Sequence, residues 1–312
     1  MLDISHKYST LRTAKAESRI HVSELTLQRI NAGTIPKGNP LEVAKVAAVQ
    51  AVKQTPSIVP YCHPIPIDFV GVDFRIEGTV IITTITVKSI AKTGVEMEAL
   101  TAASVAALTL YDMLKMIDES LLIGEIKLLE KRGGKSDFHE NLERTLTAAV
   151  IVMSDSIAAG KKSDSSGKAI MERLTQHDMA VEEYLIIPDE KSIIVSTINN
   201  LCDERKVDLI LTTGGTGFSP RDTTPEAMSE IIDREIPGIP EAIRAFGQSR
   251  TPYSMLSRGK AGLRKNTLIV NLPGSKKGVA ESLDALFPGL LHAFPMIQGI
   301  GSWKDEEKRA KR

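Results

Sequence analysis

The stretch Leu211 to Ala227, reading LTTGGTGFSPRDTTPEA, constrains the fold most, because a strand end, a glycine loop, a carboxylate and a helix start follow one another in it. Val207, Leu209, Ile210 and Leu211 form an apolar run of the kind found in strands buried on both faces. Gly214, Gly215 and Gly217 let the backbone turn sharply and approach a ligand with no Cβ in the way. Thr224 can then cap a helix whose first position is Pro225, a residue suited to that place because its missing N–H would have had no partner there. Free N–H groups and a positive helix end thus meet at one point, which is a phosphate-binding arrangement. Asp222 stands between the glycines and the cap, where a carboxylate can hold Mg²⁺ against a phosphate. A glycine-rich turn in which Asp222 only helps to cap would contain the same residues. Neither the Walker A spacing nor G-x-G-x-x-G is present, so the surrounding chain has to decide.

At 312 residues the chain suits two domains of roughly 100–200 residues each. Its 39 basic residues balance its 39 acidic ones, so no overall field favours nucleic acid or a membrane surface, while local clusters can still bind small anions. Cys62 and Cys202 are the only cysteines and form no C-x-x-C, which argues against a disulfide framework or a structural zinc site and suits a reducing cytoplasm. MLDISHKYS has no signal-peptide pattern and no apolar run reaches about 18 residues, so a soluble cytoplasmic protein with no membrane partner is expected. The charged tail 304–312 has no apolar face and reads as disordered.

In the first half, Ser23 can cap a helix through Leu25, Leu27 and Ile30 that ends at Gly33, and a second helix is expected from Pro40 to Lys53, stopped before Pro56. Lys37 lies in the loop between them, where an ordinary solvated lysine would also sit. Tyr61-Cys62-His63-Pro64 occupies an extended, proline-punctuated segment; adjacent side chains there point to opposite faces, so Cys62 and His63 cannot pair with each other. His63 is the better candidate for chemistry, with a satisfied structural histidine as the competing view. The runs 69–76 and 79–90, joined at Glu77-Gly78, predict a β-hairpin.

Between Glu98 and Asp112 the chain carries no charge, so the helix spanning 94–116 should be buried on most sides, in the core or in a subunit contact. It reads as too short and too rich in Thr to span a membrane. At about 100° per residue, Glu98 and Asp112 point within roughly 40° of each other, with Lys115 on an adjacent stripe. Carboxylates and an amine at the edge of an apolar wall can serve proton transfer, or can form a plain helix-end salt bridge. Residues 121–129 read as a last strand before Lys131-Arg132-Gly133-Gly134-Lys135. The order α-α-β-β-α-β, with a further strand near 19–22, predicts an α+β sandwich of ferredoxin-like character with an antiparallel sheet.

MLDIS, the Cys-His-Pro step, KTGVEMEALTAASVAALTLYDMLK from Lys92 to Lys115 and the closing GGKS resemble the MoaC family, the cyclic pyranopterin monophosphate synthases of molybdenum-cofactor biosynthesis, over residues 1–138. The resemblance implies that a cyclised dihydro-GTP derivative is rearranged to the pyranopterin, with closure of a cyclic phosphate and loss of pyrophosphate. By position it implies Asp112 as general acid/base with the catalytic lysines Lys115 and Lys37. It also implies a substrate site lined by Tyr61, Cys62, His63, Met97, Glu98, Lys131 and Arg12. Tyr61 stands where the family's step would carry an aliphatic residue, which bears on the shape of the pocket near His63.

Residues 136–144 are polar and mixed in charge, and the boundary is expected there. Beyond it, strands alternate with helices, the signature of a parallel sheet. Apolar runs at 146–153, 181–187, 207–211 and 267–270 each end in polar residues: Ser154-Asp155, Pro188-Asp189, the glycine loop with Asp222, and Asn271-Leu272-Pro273-Gly274-Ser275. Ligands of open α/β sheets lie at the carboxyl ends of the strands, so three aspartates and two glycine loops should meet at one edge as a Mg²⁺–nucleotide site. Asp189 and Asp155 could instead cap the helix or turn that follows each. No His or Cys stands at these strand ends to act as nucleophile, which favours direct in-line transfer.

TTGGTGFSPRDTTPEA, Ser154-Asp155, IPDE at 187–190 and NLPGS at 271–275 resemble the MogA/MoaB group of molybdopterin adenylyltransferases over residues 145–303. The resemblance implies an α/β three-layer domain that joins molybdopterin to the adenylyl group of ATP with Mg²⁺, releasing pyrophosphate. It implies Asp189 and Asp222 for metal and catalysis. Gly214, Gly215, Thr216 and Gly217 would take the nucleotide phosphates, with Asp155, Asn271, Gly274 and Ser275 completing the pocket. A non-catalytic pterin- or nucleotide-binding module is the alternative for this half. Together the two resemblances imply a bifunctional enzyme serving separate steps, with another enzyme of the pathway adding the dithiolene sulfurs between them. They also imply a homo-oligomer with threefold symmetry.

Overall fold

The computed structural model describes residues 1–138, 140 and 142–299, so the expected charged tail, 304–312, lies outside the described residues. The chain divides into two compact units, Met1–Phe138 and His139–Arg312.

In the first unit the chain opens with β1 (Thr10–His21), α1 (Glu24–Asn31) and α2 (Pro40–Ile58). The hairpin β2 (Phe69–Glu77) and β3 (Val80–Ala91) follows, then α3 (Glu96–Leu114) and β4 (Leu122–Arg132). The sheet order is β2-β3-β1-β4, and every pair is antiparallel, as the hairpin and the returning strand led one to expect. Gly78 turns the hairpin with φ +56°, a left-handed conformation that costs glycine nothing. Ser23 caps α1 by accepting from the N–H of Thr26.

The expectation that the second helix stops before Pro56 is corrected: α2 runs to Ile58 with Pro56 inside it. Proline deletes the one bond its own N–H would give. Around that gap the Thr55 hydroxyl donates to Ala51 O at 2.9 Å, and the Val59 N–H donates to Thr55 O at 2.9 Å. The two long helices bury alanines, Ala48 and Ala51 of α2 with Ala99, Ala102, Ala103 and Ala106 of α3, in one core with Ala14, Ala16, Ile85 and Val87 of the sheet. Small side chains let helices approach closely. By length and composition α3 is apolar enough to cross a membrane, but half of its most apolar window is buried in the unit, which makes it a core helix.

The second unit strings together β5 (Thr147–Met153), α4 (Asp155–Ala158), α5 (Ser166–Gln176), β6 (Ala180–Ile187) and α6 (Lys191–Asp203). It continues with β7 (Leu209–Thr213), α7 (Thr224–Ile231), β8 (Arg234–Glu235), α8 (Gly238–Gln248), β9 (Ala261–Arg264), β10 (Thr267–Leu272), α9 (Lys276–Leu286) and α10 (Ala293–Ile297). The sheet order is β6-β5-β7-β10-β9-β8. The four strands read from the apolar runs are parallel, and β9 and β8 extend the sheet antiparallel at one edge.

Alternate residues of one strand enter different cores. Ala148 and Val150 pack with Ile170, Leu174, Val279 and Leu283, while Ala149, Ile151 and Met153 pack with Ile194, Ile198, Met228 and Ile231. Helices therefore cover both faces, and this is why the inner strands β5, β7 and β10 read as unbroken apolar runs.

Candidate functional site

In the second unit the carboxyl ends of β5, β6, β7 and β10 bring the expected loops together. Asp155 follows β5, and its Oδ1 accepts the Asp189 N–H at 3.1 Å across the end of β6. Gly214 follows β7 with φ +107°; a Cβ there would stand 2.2 Å from Met153 O, so only glycine fits. A Cβ on Gly215 would stand 2.3 Å from Thr224 Oγ1 and 3.2 Å from Asp189 Oδ1, and one on Gly217 would stand 2.9 Å from Asp222 Oδ2. Gly274 packs on Gly214, and the Ser166 hydroxyl donates to Gly274 O at 3.0 Å. Thus three aspartates and both glycine loops do share one edge.

The carboxylates differ in state. Burial pushes the Asp189 carboxyl up, and the nearby charges of Asp155 and Asp222 add to this while Arg221 opposes it. Asp189 Oδ1 is buried with no protein partner. Asp222 Oδ2 accepts the Ser219 N–H at 2.8 Å and so closes its own loop. Asp155 is ion-paired to Arg221. Among the described residues, none accepts a hydrogen bond from the N–H groups of Gly215, Thr216, Gly217 or Phe218. Successive unpaired N–H groups beside left-handed glycines make an anion-binding concavity. Among the described residues there is also no cluster of three or more His, Cys, Asp or Glu able to hold a metal.

Several details depart from the sequence reading. The N-cap of α7 is Thr223, with Pro225 in its first turn, and Thr224 is fully buried with its hydroxyl donating to Gly214 O at 3.2 Å. The N-cap of α6 is Glu190, so Asp189 is not its cap. Asn271 is buried, donating to Thr212 Oγ1 at 2.9 Å, and Ser275 caps α9 by accepting from the N–H of Gly278. Sequence reasoning missed Asp164, whose carboxylate accepts the N–H groups of Ser166 and Gly167 at the start of α5 and the Tyr184 hydroxyl at 2.7 Å. The Asp-Ser-Ser-Gly start signal was there to be read. It also missed Arg221 and Arg258.

In the first unit, Asp112 lies between two lysines: Lys115 Nζ to Oδ1 at 2.8 Å and Lys37 Nζ to Oδ2 at 2.8 Å. Lys37 Nζ also donates to Asp112 O at 2.8 Å, which ties the loop before α2 to the end of α3. Lys115, and then Lys37, hold the Asp112 carboxyl down at about 2. The remaining residues gather at the other end of α3. Glu98 is 1% exposed, with Oε1 accepting from the Cys62 thiol at 3.3 Å and Oε2 buried without a partner. Burial pushes the Glu98 carboxyl up and, together with Glu98, pushes the Cys62 thiol up to about 11. His63 Nε2 lies 2.9 Å from Leu2 O, Lys131 Nζ lies 3.9 Å from Glu96, and Arg12 Nε donates to Ala91 O. Tyr61 and Met97 are exposed. Glu98 and Asp112 are thus aligned around the helix but separated along it by about 21 Å, at about 1.5 Å per residue. One chain does not bring the two groups together.

The state of Glu98 carries a stability prediction. Its carboxyl is raised above the ordinary range, so the native protein keeps a proton that the unfolded chain releases, and stability falls as pH rises from the unfolded pKa towards the native one. Glu98→Gln removes that titration. Thermal unfolding of the variant is expected above that of the parent at alkaline pH, with the gap closing as the pH falls into the ordinary carboxyl range. A gap that does not change with pH would contradict this.

The sequence-family model described as the MoaC family matches residues 1–134, and the one described as a probable molybdopterin binding domain matches residues 149–292. A molybdenum cofactor biosynthesis bifunctional protein of Chlorobaculum tepidum is 42% identical over 301 residues, which is 96% of this chain and 95% of that protein. A cyclic pyranopterin monophosphate synthase of Brevibacillus brevis is 52% identical over 141 residues, 45% of this chain and 88% of that one. Among solved structures, the molybdopterin biosynthesis enzyme MoaB of Thermus thermophilus is 44% identical and covers 50% of this chain and 98% of that one, at a TM-score of 0.48.

Proposed function

The chain belongs to the family of molybdenum cofactor biosynthesis bifunctional proteins, and from that membership we propose that its two units catalyse two separate steps of the pathway. The first unit, taken as 1–138 and read as a ferredoxin-like sandwich, converts a cyclised dihydro-GTP derivative to cyclic pyranopterin monophosphate with release of pyrophosphate. The second, taken as 145–303, joins molybdopterin to the adenylyl group of ATP.

What supports the first reading is Asp112 bracketed by Lys37 and Lys115. A carboxyl with a pKa of about 2 is ionised at neutral pH, so Asp112 enters the reaction as the base. A triphosphate competes for the same two ammonium groups, and as they turn to it Asp112 regains proton affinity, which equips it to return the proton later. Lys131 and Arg12 supply further cations at the opposite end of α3, beside the buried Glu98. Because the two groups lie about 21 Å apart on one helix, we infer that a second copy of the chain completes each site. The outward stripe of α3, with Met97, Leu108 and Tyr111 exposed, suits such a contact. Light scattering is expected to give a mass divisible by three chains; a mass of two chains would contradict the threefold assembly.

The adenylylation reading is carried by the unpaired N–H groups from Gly215 to Phe218 beside Asp189 and Asp222. In the proposed step the terminal phosphate oxygen of molybdopterin attacks the α-phosphorus of ATP. The new P–O bond forms as the bond to the bridging oxygen breaks, and pyrophosphate leaves with that electron pair. The N–H groups and the positive end of α7 stabilise the charge that gathers on the phosphate oxygens. The hard carboxylate oxygens of Asp189 and Asp222 suit Mg²⁺, and the buried, unpartnered Asp189 Oδ1 fits a cation ligand. Mg²⁺ held there with the nucleotide would supply neutralisation of phosphate charge. The test is formation of adenylylated pterin and pyrophosphate by the full chain.

A further inference from the structure

We propose that Arg258 is the positioning residue of the glycine loop, the group that turns its N–H donors towards the nucleotide phosphates. The inference rests on the adenylyl-transfer reading of this site. Arg258 lies in the short segment Ser257–Lys260 before β9, far in sequence from the loop it holds.

Four contacts tie it there. The Arg258 N–H donates to Thr216 O at 3.0 Å, Nε to Gly217 O at 2.7 Å, and Nη2 to Asp222 O at 2.7 Å. Nη1 donates to Glu226 Oε1, in the first turn of α7, at 2.5 Å. One residue therefore grips the loop at both ends of its turn and fixes it to the helix start. The segment carrying Arg258 is anchored in its turn: the Asn271 N–H donates to Lys260 O at 2.9 Å, the Lys260 N–H to Asn271 Oδ1 at 3.3 Å, and Arg244 reaches Gly259 O at 3.4 Å.

The peptide unit gives these contacts their consequence. In a planar trans peptide the C=O and the following N–H point in opposite directions. Drawing the carbonyls of Thr216 and Gly217 towards Arg258 therefore turns the N–H groups of Gly217 and Phe218 away from it, and these are two of the N–H groups with no acceptor among the described residues. The Asp222 carbonyl fixes the Thr223 N–H at the start of α7 in the same way. Glycines at 214, 215 and 217 leave the loop free to adopt other shapes. A clamp outside the loop selects one before the ligand arrives, which lowers the ordering cost of binding. Only a guanidinium has donors fixed in a fork that can satisfy two carbonyls and a carboxylate at once; an ammonium on a flexible stem cannot hold all three.

The experiment measures adenylyl transfer by the full chain, with kcat and KM determined separately for ATP and for molybdopterin, in the wild type, Arg258→Ala and Arg258→Lys. Arg258→Ala is expected to raise KM for ATP between about 10-fold and 100-fold, as charge-assisted hydrogen bonds of this kind are lost. The KM for molybdopterin and the pyranopterin-forming activity of the first unit stay unchanged, a split that general loss of folding would not give. Arg258→Lys falls between the two, and it serves as the test if the alanine variant does not fold. Added guanidinium is expected to restore part of the ATP affinity of Arg258→Ala. An active wild type whose KM for ATP is matched by both variants overturns the inference while leaving the reading of the site intact. A wild type that binds molybdopterin yet transfers no adenylyl group overturns the reading, and the inference with it.

Discussion

Asp112→Asn is expected to lower formation of cyclic pyranopterin monophosphate by about 10²- to 10⁴-fold, the range spanned by removal of a positioned general acid/base. The substitution keeps the shape of the side chain and deletes only its charge and its capacity to take a proton. Asp112 is exposed, and its partners are the two ammonium groups and no core group, so the fold should be indifferent to the change. Product formation from the cyclised GTP derivative, with thermal unfolding as the control, checks this. A folded variant with near-parental turnover would move the base elsewhere, with Glu98 the next candidate. Because Lys37 and Lys115 hold the carboxyl at about 2, parental activity should not fall through loss of this base until the pH is far below neutrality. That protection lies in the lysines: replacing either by Met should move the acid limb of the free enzyme's profile upward, since a lowered pKa returns towards its ordinary value when the cation leaves.

The second large effect is expected in the other unit. Asp222→Asn should lower adenylyl transfer by about 10²- to 10³-fold through loss of charge at the phosphates, comparable to deleting one preorganised electrostatic contact. Asn can still accept the Ser219 N–H through its Oδ1, so the turn is preserved and the comparison isolates the charge. Removing the Asp222 charge also removes one of the influences that raise Asp189, so Asp189 ionises more readily in the variant. If folded Asp222→Asn transferred the adenylyl group at the parental rate, the loop would need no carboxylate there.

Much of this was legible in the chain and some was not, for reasons that lie in particular residues. Three of the four parallel strands, β5, β7 and β10, could be read because burial on both faces leaves unbroken runs such as AAVIVM and LIL, whereas β6, at the sheet edge, carries Glu182 and Glu183 and shows an apolar run only in its last residues. β1 was read only near its end, since TLRTAKAESRIH alternates charged residues with small ones and its buried face, Ala14, Ala16, Ser18 and Ile20, has one large apolar side chain, at that end. The antiparallel edge strands β8 and β9, at two and four residues, are too short for a period to show. The cap at α7 shifted by one residue because Thr223 and Thr224 are both good caps, and burial beside Gly214 and Met153 recruits Thr224 for the loop instead.

At the site, the strand-end aspartates and glycine loops could be anticipated from topology alone. Arg258 could not, because it meets Gly217 across 41 positions of sequence and no local pattern marks it. The separation of Glu98 from Asp112 was available in principle: helical periodicity aligns them around the axis, and the rise per residue keeps them about 21 Å apart along it.

The most direct test of the account is adenylyl transfer by the unaltered full chain supplied with molybdopterin, ATP and Mg²⁺, followed by mass spectrometry of the pterin and by pyrophosphate release. Adenylylated molybdopterin and pyrophosphate in equal amounts are predicted. Pterin bound but unmodified, with ATP intact, would contradict the account and make the second unit a binding module.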